Sequence, residues 1–340
     1  MLFRLVFTLL AIVLHFSLLG QDKVVQVMFY NVENLFDAKN DSLTLDDEFL
    51  PGGDRHWTTN RLKLKLNNLS KVITNTGNWE PPAVIGFCEI ENRYVLERLV
   101  AEKRLHKWGY RIIHKDSPDE RGIDVAAIYR PDQFTPLRYE YLPMVSESGK
   151  ENQTREILEI TGILANRDTV HLFFNHWPSR YGGLMETREG RNMAATILRK
   201  EVEKLQQTSR QPGIIIMGDF NDQPQDYSMT RFLKASNEKG SSPENLYNLS
   251  YRWVSQNRGT LKYQAEWNIF DQIVVSGSLL DQKRKLYTTR QDAEILEAKF
   301  LFTKDERYLG QKLFRTYDAY RYAGGFSDHL PVILQIRIRE

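Results

Sequence analysis

Between residues 24 and 338 the chain alternates short apolar runs with polar stretches, and several of the runs end alike. Val24 to Tyr30 stops at Asn31-Val32-Glu33-Asn34, Ala83 to Cys88 stops at Glu89-Ile90-Glu91-Asn92, and Ile214 to Met217 stops at Gly218-Asp219-Phe220-Asn221. Short apolar runs rich in β-branched or aromatic residues and bounded by turn formers predict strands, here buried on both faces. Further strands are predicted over 110–114, 124–129, 134–142, 155–165, 169–175, 272–276 and 332–338. Asp219 and Asn221, two apart, point to the same side of an extended chain. Gly-Asp-Phe-Asn-Asp is also good turn chemistry, so this pair alone decides nothing.

Helical spacing is confined to a few segments. Leu62, Leu66, Leu69 and Ile73 recur at i, i+4, i+7 and i+11 after a cap at Thr58, Thr59 or Asn60. Asn92 caps a second helix whose inner face is Val95, Leu96, Leu99 and Val100. A third is predicted from Glu186 to Gln206, burying Met193, Ile197, Leu198, Val202 and Leu205, with Arg188 and Arg191 on a solvated face. Residues 227–234 are also read as helical. Residues 37–59, 235–262 and 281–326 lack periodicity and read as loops. With no internal linker or repeat, 21–340 is expected to be a single domain of the layered α/β class.

Composition adds two points. The 340 residues carry 46 Lys+Arg against 44 Asp+Glu, a formal charge of +2, so no overall field advertises nucleic acid or a membrane. Residues 1–20 differ from the rest: Arg4 precedes an apolar run from Leu5 to Leu19, and polar sequence resumes at Gln21. This predicts a signal peptide and export to the periplasm or medium, with an N-terminal membrane anchor as the alternative if it is not cleaved. Cys88 is the only cysteine, so no intramolecular disulfide forms, and its apolar neighbours predict a buried thiol.

The polar residues at the ends of the apolar runs are Asn31, Glu33, Glu89, His176, Asp219, Asn221, Asp271, Asp328 and His329. Any one could be a cap or a turn. Together they suggest a site, because ligand sites in layered α/β proteins collect at strand ends. Oxygen donors predominate and the histidines lack zinc spacing, so Mg²⁺, with Mn²⁺ as the alternative, suits the set. Carboxylates and histidines around a hard cation suit hydrolysis of a phosphate ester.

The ordered motifs resemble those of the endonuclease/exonuclease/phosphatase superfamily. They are Phe29-Tyr30-Asn31-Val32-Glu33-Asn34, Glu89-Ile90-Glu91-Asn92, Arg121-Gly122-Ile123-Asp124-Val125-Ala126, Asn175-His176-Trp177-Pro178-Ser179, Gly218-Asp219-Phe220-Asn221, Phe270-Asp271-Gln272-Ile273 and Ser327-Asp328-His329-Leu330-Pro331. The resemblance implies a four-layer α/β/β/α sandwich of two mixed β-sheets flanked by helices. It implies Glu89 as principal metal ligand with Asn31 beside it, and Glu33 and Asp328 completing the metal region. It further implies that Asp219 orients the attacking water and that Asn221 holds a phosphate oxygen. His329 would contact the phosphate, positioned by Asp271, while His176 assists at the phosphate or leaving group and Arg121 faces the phosphate.

The expected activity is an Mg²⁺-dependent phosphodiesterase, foremost an exported endonuclease on DNA or RNA. A phosphatase or phosphodiesterase on a small or lipid substrate, such as an inositol phosphate or a sphingomyelin-type head group, is the alternative, and a catalytically inactive binding module the remote one. Arg55, His56, Trp57, Arg252, Trp253, Arg315, Tyr320 and Tyr322, in the three loops, offer cations and aromatics for stacking bases or gripping phosphates. No protein partner is indicated, and a monomer is expected.

Overall fold

The computed structural model describes residues 22–339 except 146–148, 150–151 and 166–167, so the leader-like residues 1–20 lie outside the described residues. The first apolar run forms a long strand, β1 (Lys23–Leu35), which pairs in parallel with β2 (Val84–Ile90). β3 (Arg111–Ile113) and β4 (Asp124–Tyr129) extend that sheet on one side. The chain then builds a second sheet from β5 (Phe134–Leu142), β6 (Ile157–Leu164), β7 (Asp168–His176), β8 (Gly213–Asp219), β9 (Ala235–Ser236), β10 (Leu246–Asn248) and β11 (Asp271–Ser276). It returns to the first with β12 (Leu286–Tyr287), β13 (Ala293–Ile295) and β14 (Val332–Ile338). The strand orders are β12-β14-β1-β2-β4-β3, with β13 also on β14, and β5-β6-β7-β8-β11-β10-β9. Both sheets are mixed.

The sheets pack face to face through apolar side chains, with Phe29 of β1 stacked on Phe174 of β7 at 6.4 Å between ring centroids. Gly86 of β2 lies under the same ring: a Cβ there would sit 2.1 Å from Cδ1 of Phe174, so only glycine admits the approach. Helices α1 (Thr59–Ile73) and α2 (Arg93–Val100) cover the first sheet, α1 burying Leu62, Leu66, Leu69 and Ile73 as their spacing requires. Thr58 accepts a hydrogen bond from the Arg61 amide, and Asn92 accepts one from the Val95 amide, so both helix starts are side-chain capped. After the short helix α3 (Lys103–His106), α4 (Arg188–Thr208) covers the second sheet, packing Ala194, Ala195, Leu198 and Val202 on Phe173, Ile214 and Ile216. The result is the expected four-layer sandwich.

Some local expectations are corrected. Arg188 is exposed, but Arg191 is fully buried rather than solvated. Its guanidinium donates to Asp222 at 2.7 Å, to the Thr187 hydroxyl at 2.7 Å and to the Leu184 carbonyl at 3.0 Å, tying the start of α4 to the loop after β8. Met193 and Ile197 are only half-buried, because the small Ala194 and Ala195 form the inner face there. Residues 228–232 form a single π-helical turn. Trp57 and Trp253 are core residues instead of loop aromatics free to stack on a ligand, and the Trp57 indole donates to the Phe36 carbonyl at 2.8 Å. Cys88 is buried, which pushes its thiol well up.

Candidate active site

Three chemical groups stand side by side across the end of the second sheet. Asp219, the last residue of β8, is in register with His176 of parallel β7 on one side and Asp271 of antiparallel β11 on the other. Cross-strand partners project from the same face, so register alone sets these side chains together. The first sheet meets them with Asn31 and Glu89. Both strands bulge here, since the β1–β2 register breaks between Asn31 and Leu35 and the β2–β4 register between Cys88 and Ile90. Glu89 is the extra residue, with φ of +62°, and the bulge turns its carboxylate out of the ladder. Left-handed backbone at a non-glycine residue costs on the order of 1 kcal/mol, held here by the flanking pairing.

Asn31 is the hub between the sheets. Its amide nitrogen donates to Glu89 Oε1 and to Asp219 Oδ2, both at 3.1 Å, while its oxygen accepts from the Glu33 amide at 3.0 Å. Asp219 Oδ1 accepts from the Asn221 amide at 2.9 Å. His329 stands just before β14, with Nδ1 2.7 Å from Asp271 and Nε2 3.7 Å from Asp219. Burial opposes charge on this ring, but the carboxylates of Asp271 and Asp219 outweigh it and hold the imidazole well above its usual range, as a cation. Burial pushes Asp219 up to about 7, with His329 opposing and Asp271 adding to the rise.

His176 is brought to the same place, with Nε2 4.0 Å from Glu89 and 3.9 Å from Asp219. Burial, followed by Arg155, Arg121 and His329, holds its ring well below the usual range, so it is a neutral imidazole. Asn221 adopts φ of +51° and donates its side-chain amide to the Trp177 carbonyl at 3.0 Å. Arg121 is half-exposed on Asp119 at 3.2 Å. Its buried counterpart is Arg155, which sequence reasoning missed; it donates to Asp119 at 2.8 Å and to the Trp177 carbonyl at 3.0 Å. Arg155 thus grips the carbonyl that also anchors Asn221. Nothing in the local pattern around Thr154-Arg155-Glu156 sets it apart from an exposed strand-end arginine.

Glu33 and Asp328 are placed differently from the rest. Glu33 is buried and accepts from the Thr316 amide at 2.6 Å, the Tyr317 amide at 3.3 Å and Arg315 at 3.3 Å, with Lys65 Nζ 3.9 Å away. Asp328 accepts from the other end of the Arg315 guanidinium at 2.8 Å. Burial raises Asp328, but Arg315, His329 and Lys65 together hold its carboxyl below the usual range. These two acids, expected near a metal, hold the 315–317 segment through protein donors.

Glu89, by contrast, has no lysine or arginine nitrogen within 4.0 Å among the described residues; its oxygens accept only from Asn31 and, at 2.9 Å, from the Asn34 amide. Asp271 Oδ1 is buried and has no hydrogen-bond partner among the described residues. An all-oxygen, net-negative donor set of Glu89, Asn31 and Asp219 fits a hard divalent cation. Asp219, Asp271 and His329 also bring ligand-capable atoms within 4.8 Å of one another.

The sequence profile described as the Endonuclease/Exonuclease/phosphatase family matches residues 26–338. No curated protein matches the chain in sequence. Among solved structures, an endonuclease/exonuclease/phosphatase family protein from Bacteroides thetaiotaomicron superposes with TM-score 0.58 at 16% identity, covering 94% of this chain and 99% of that one. A mannosyl-6-phosphatase of Bacteroides thetaiotaomicron gives 0.57 at 15%, covering 92% and 99%. D. rerio TDP2 complexed with single-strand DNA product gives 0.53 at 14%, covering 93% and 99%. At such identities the likeness establishes the fold.

Proposed function

Because the chain belongs to the endonuclease/exonuclease/phosphatase family, it is a phosphoric ester hydrolase of a divalent-metal-using type, and we propose that its substrate is a nucleic-acid strand outside the cytoplasm. The observation that carries the substrate class is the surface joined to the site. Arg180, paired with Asp222 at 3.0 Å and Asp226 at 2.5 Å, donates to the Asn221 carbonyl at 2.7 Å and is followed by the exposed Tyr181. Arg55, whose carbonyl accepts from the hydroxyl of Tyr317, the residue whose amide donates to Glu33, itself donates to the Ala319 carbonyl and lies over the exposed Tyr320 at 5.0 Å. Half-exposed Arg121 bears on His176. Cations interleaved with open aromatic faces are what a phosphate backbone and its bases engage. The leader-like residues 1–20 support the export half of the proposal.

Each side chain then has a task. Asp219, fixed by Asn31 and the Asn221 amide, accepts a hydrogen bond from the attacking water and takes its proton. His329, held cationic by Asp271, donates Nε2–H to a phosphate oxygen as negative charge builds there. Asn221, with one amide proton on the Trp177 carbonyl, has the other for a phosphate oxygen. Neutral His176 serves at the leaving-group side. Glu89 and Asn31 would hold the divalent ion, Mg²⁺ in this proposal, which when bound would supply neutralisation of phosphoryl charge.

A second reading, a small or lipid phosphoester, is favoured by one observation: Trp57 and Trp253 are buried, which thins the stacking surface. Hydrolysis by the protein lacking residues 1–20, with Mg²⁺ and with EDTA, decides between them on plasmid DNA, single-stranded DNA, RNA, an inositol phosphate and sphingomyelin. Mg²⁺-dependent cleavage of nucleic acid, lost in Asp219→Ala and His329→Ala, is the expected result. Turnover confined to the small or lipid esters overturns the substrate and keeps the chemistry.

A further inference from the structure

The end of the sandwich opposite the active site carries cations that the chain leaves unanswered. β1 starts there at Lys23, and Asn31 lies further along the same strand, about 26 Å away at the rise of an extended chain. Beside that start stands Trp79, fully exposed, on the rim of two clefts. One cleft it shares with Lys23 and Val24. The other, of about 780 Å³, is lined by Lys103, Arg104, Lys107 and Trp108.

All three cations of that second cleft are exposed, and among the described residues none has a carboxylate oxygen within 4.0 Å. The same holds for Lys23 and for Lys63, one turn before Asn67 on α1. Arg104 donates instead to Asn67 Oδ1 at 2.7 Å, and Lys107 lies over Trp108 at 4.8 Å from its ring centroid. Glu102 is the one acid among the described residues lining the cleft, and Glu80, next to Trp79, is already held by Arg130 at 2.9 Å. The helix over the second sheet treats its cations differently: in α4 Arg199 pairs with Glu203 at 2.7 Å and Lys204 with Glu201 at 3.0 Å. An open indole beside unpaired cations suits the boundary between water and anionic lipid, where the ring sits at head-group depth and Lys and Arg reach the phosphates.

The chain upstream distinguishes a lipid surface from other polyanions. The apolar run of the leader-like segment closes at Leu19, four residues before Lys23. Four residues of chain span at most about 14 Å. A leader kept in a bilayer therefore brings the start of β1, and Trp79 beside it, to that bilayer's surface; a nucleic acid has no such tether. We propose that Trp79, Lys103, Arg104 and Lys107 dock this end of the protein on an anionic lipid surface, which leaves the active site, at the other end of β1, facing away from the lipid. With the leader removed, the same face gives a reversible, salt-sensitive association.

The test is co-sedimentation of the protein lacking residues 1–20, which keeps every strand of both sheets, with vesicles of phosphatidylcholine alone or mixed with phosphatidylglycerol. No ester is hydrolysed in it, so its outcome is independent of the substrate proposed above. Binding to the mixed vesicles, absent on phosphatidylcholine alone and reversed by high salt, is expected. Lys103→Glu, Arg104→Glu and Lys107→Glu combined should weaken it at least about 100-fold, and Trp79→Ala about 10-fold, with melting temperatures unchanged. If the triple variant does not fold, Lys103→Gln with Lys107→Gln replaces it, with an expected loss of about 10-fold or more. A parent protein that ignores the anionic vesicles would overturn the proposal, as would a charge-reversed protein that binds them as the parent does. So would a face that takes single-stranded DNA through the same three cations and leaves the vesicles alone.

Discussion

Two acidic regions flank His329, and the protein treats them in opposite ways. On one side Glu33 and Asp328 meet Arg315 and Lys65, together with the Thr316 and Tyr317 amides, so their charge is answered within the chain. On the other side Glu89 meets only neutral donors among the described residues, and the imidazole beside it, His176, is held uncharged. Both regions began as the same sequence pattern, an acid at the end of an apolar run. The difference lies in what a distant segment brings to each. Where the fold leaves a carboxylate unanswered at its functional edge, a cation or cationic group from outside has a place; where it supplies its own cation, the acid holds structure.

The contrast predicts opposite phenotypes. Glu89→Gln should lower kcat by at least about 10³-fold, on the order of 4 kcal/mol of transition-state stabilisation, with a melting temperature that does not fall. Steady-state rates and melting of the same preparation check it; a protein that melts several degrees lower and keeps its rate would erase the distinction.

Lys65→Met acts on the answered side. Lys65 is buried, donating to the Thr316 hydroxyl at 2.5 Å and the Phe326 carbonyl at 2.6 Å beside Glu33, and its removal leaves Glu33 facing the interior with one cation fewer. Stability should fall by about 3 kcal/mol in urea unfolding. Burial lowers Lys65 to about 8, against the pull of Glu33. A group with a depressed folded pKa gives stability that is present above its unfolded value and lost as pH falls through the folded one. The parent should therefore gain stability as pH rises from about 8 towards about 10.5, and Lys65→Met should lose that slope.

How much of this was legible follows from the range of the interactions. Asn31, Glu89, His176, Asp219, Asp271 and His329 could be picked out because each terminates a local apolar run, and sheet register then does the assembling. Glu33 and Asp328 carried the same local mark but not their partner. Arg315 lies 282 residues beyond Glu33, in a segment with no periodicity. Arg191 and Trp253 were misread for a related reason. An arginine in the first turn of a helix and a tryptophan in a polar stretch look solvent-facing until a particular tertiary neighbour, Asp222 for the arginine, is known. Glu91 was read as a helix-start acid, and it is buried against Asp37. The sandwich followed from ordered motifs, whereas charge compensation depended on long-range pairing that no local window contains.

The smallest effect should come from Arg315 itself, though it bridges both acids of the answered side. Its guanidinium reaches Glu33 at 3.3 Å and Asp328 at 2.8 Å, yet its side chain is 40% exposed, so water and salt screen much of the attraction. Glu33 also keeps the Thr316 and Tyr317 amides and Lys65 when the guanidinium is gone. Arg315→Gln should therefore destabilise by only about 1 kcal/mol, and the deficit should shrink at high salt, where the parent's advantage is screened. Asp328, next to His329, loses the Arg315 donor, so a modest fall in rate should accompany the change. Urea unfolding of both proteins at low and high salt separates the cases. A loss as large as that of Lys65→Met, indifferent to salt, would mean that Arg315, and not the buried lysine, is the cation holding this side together.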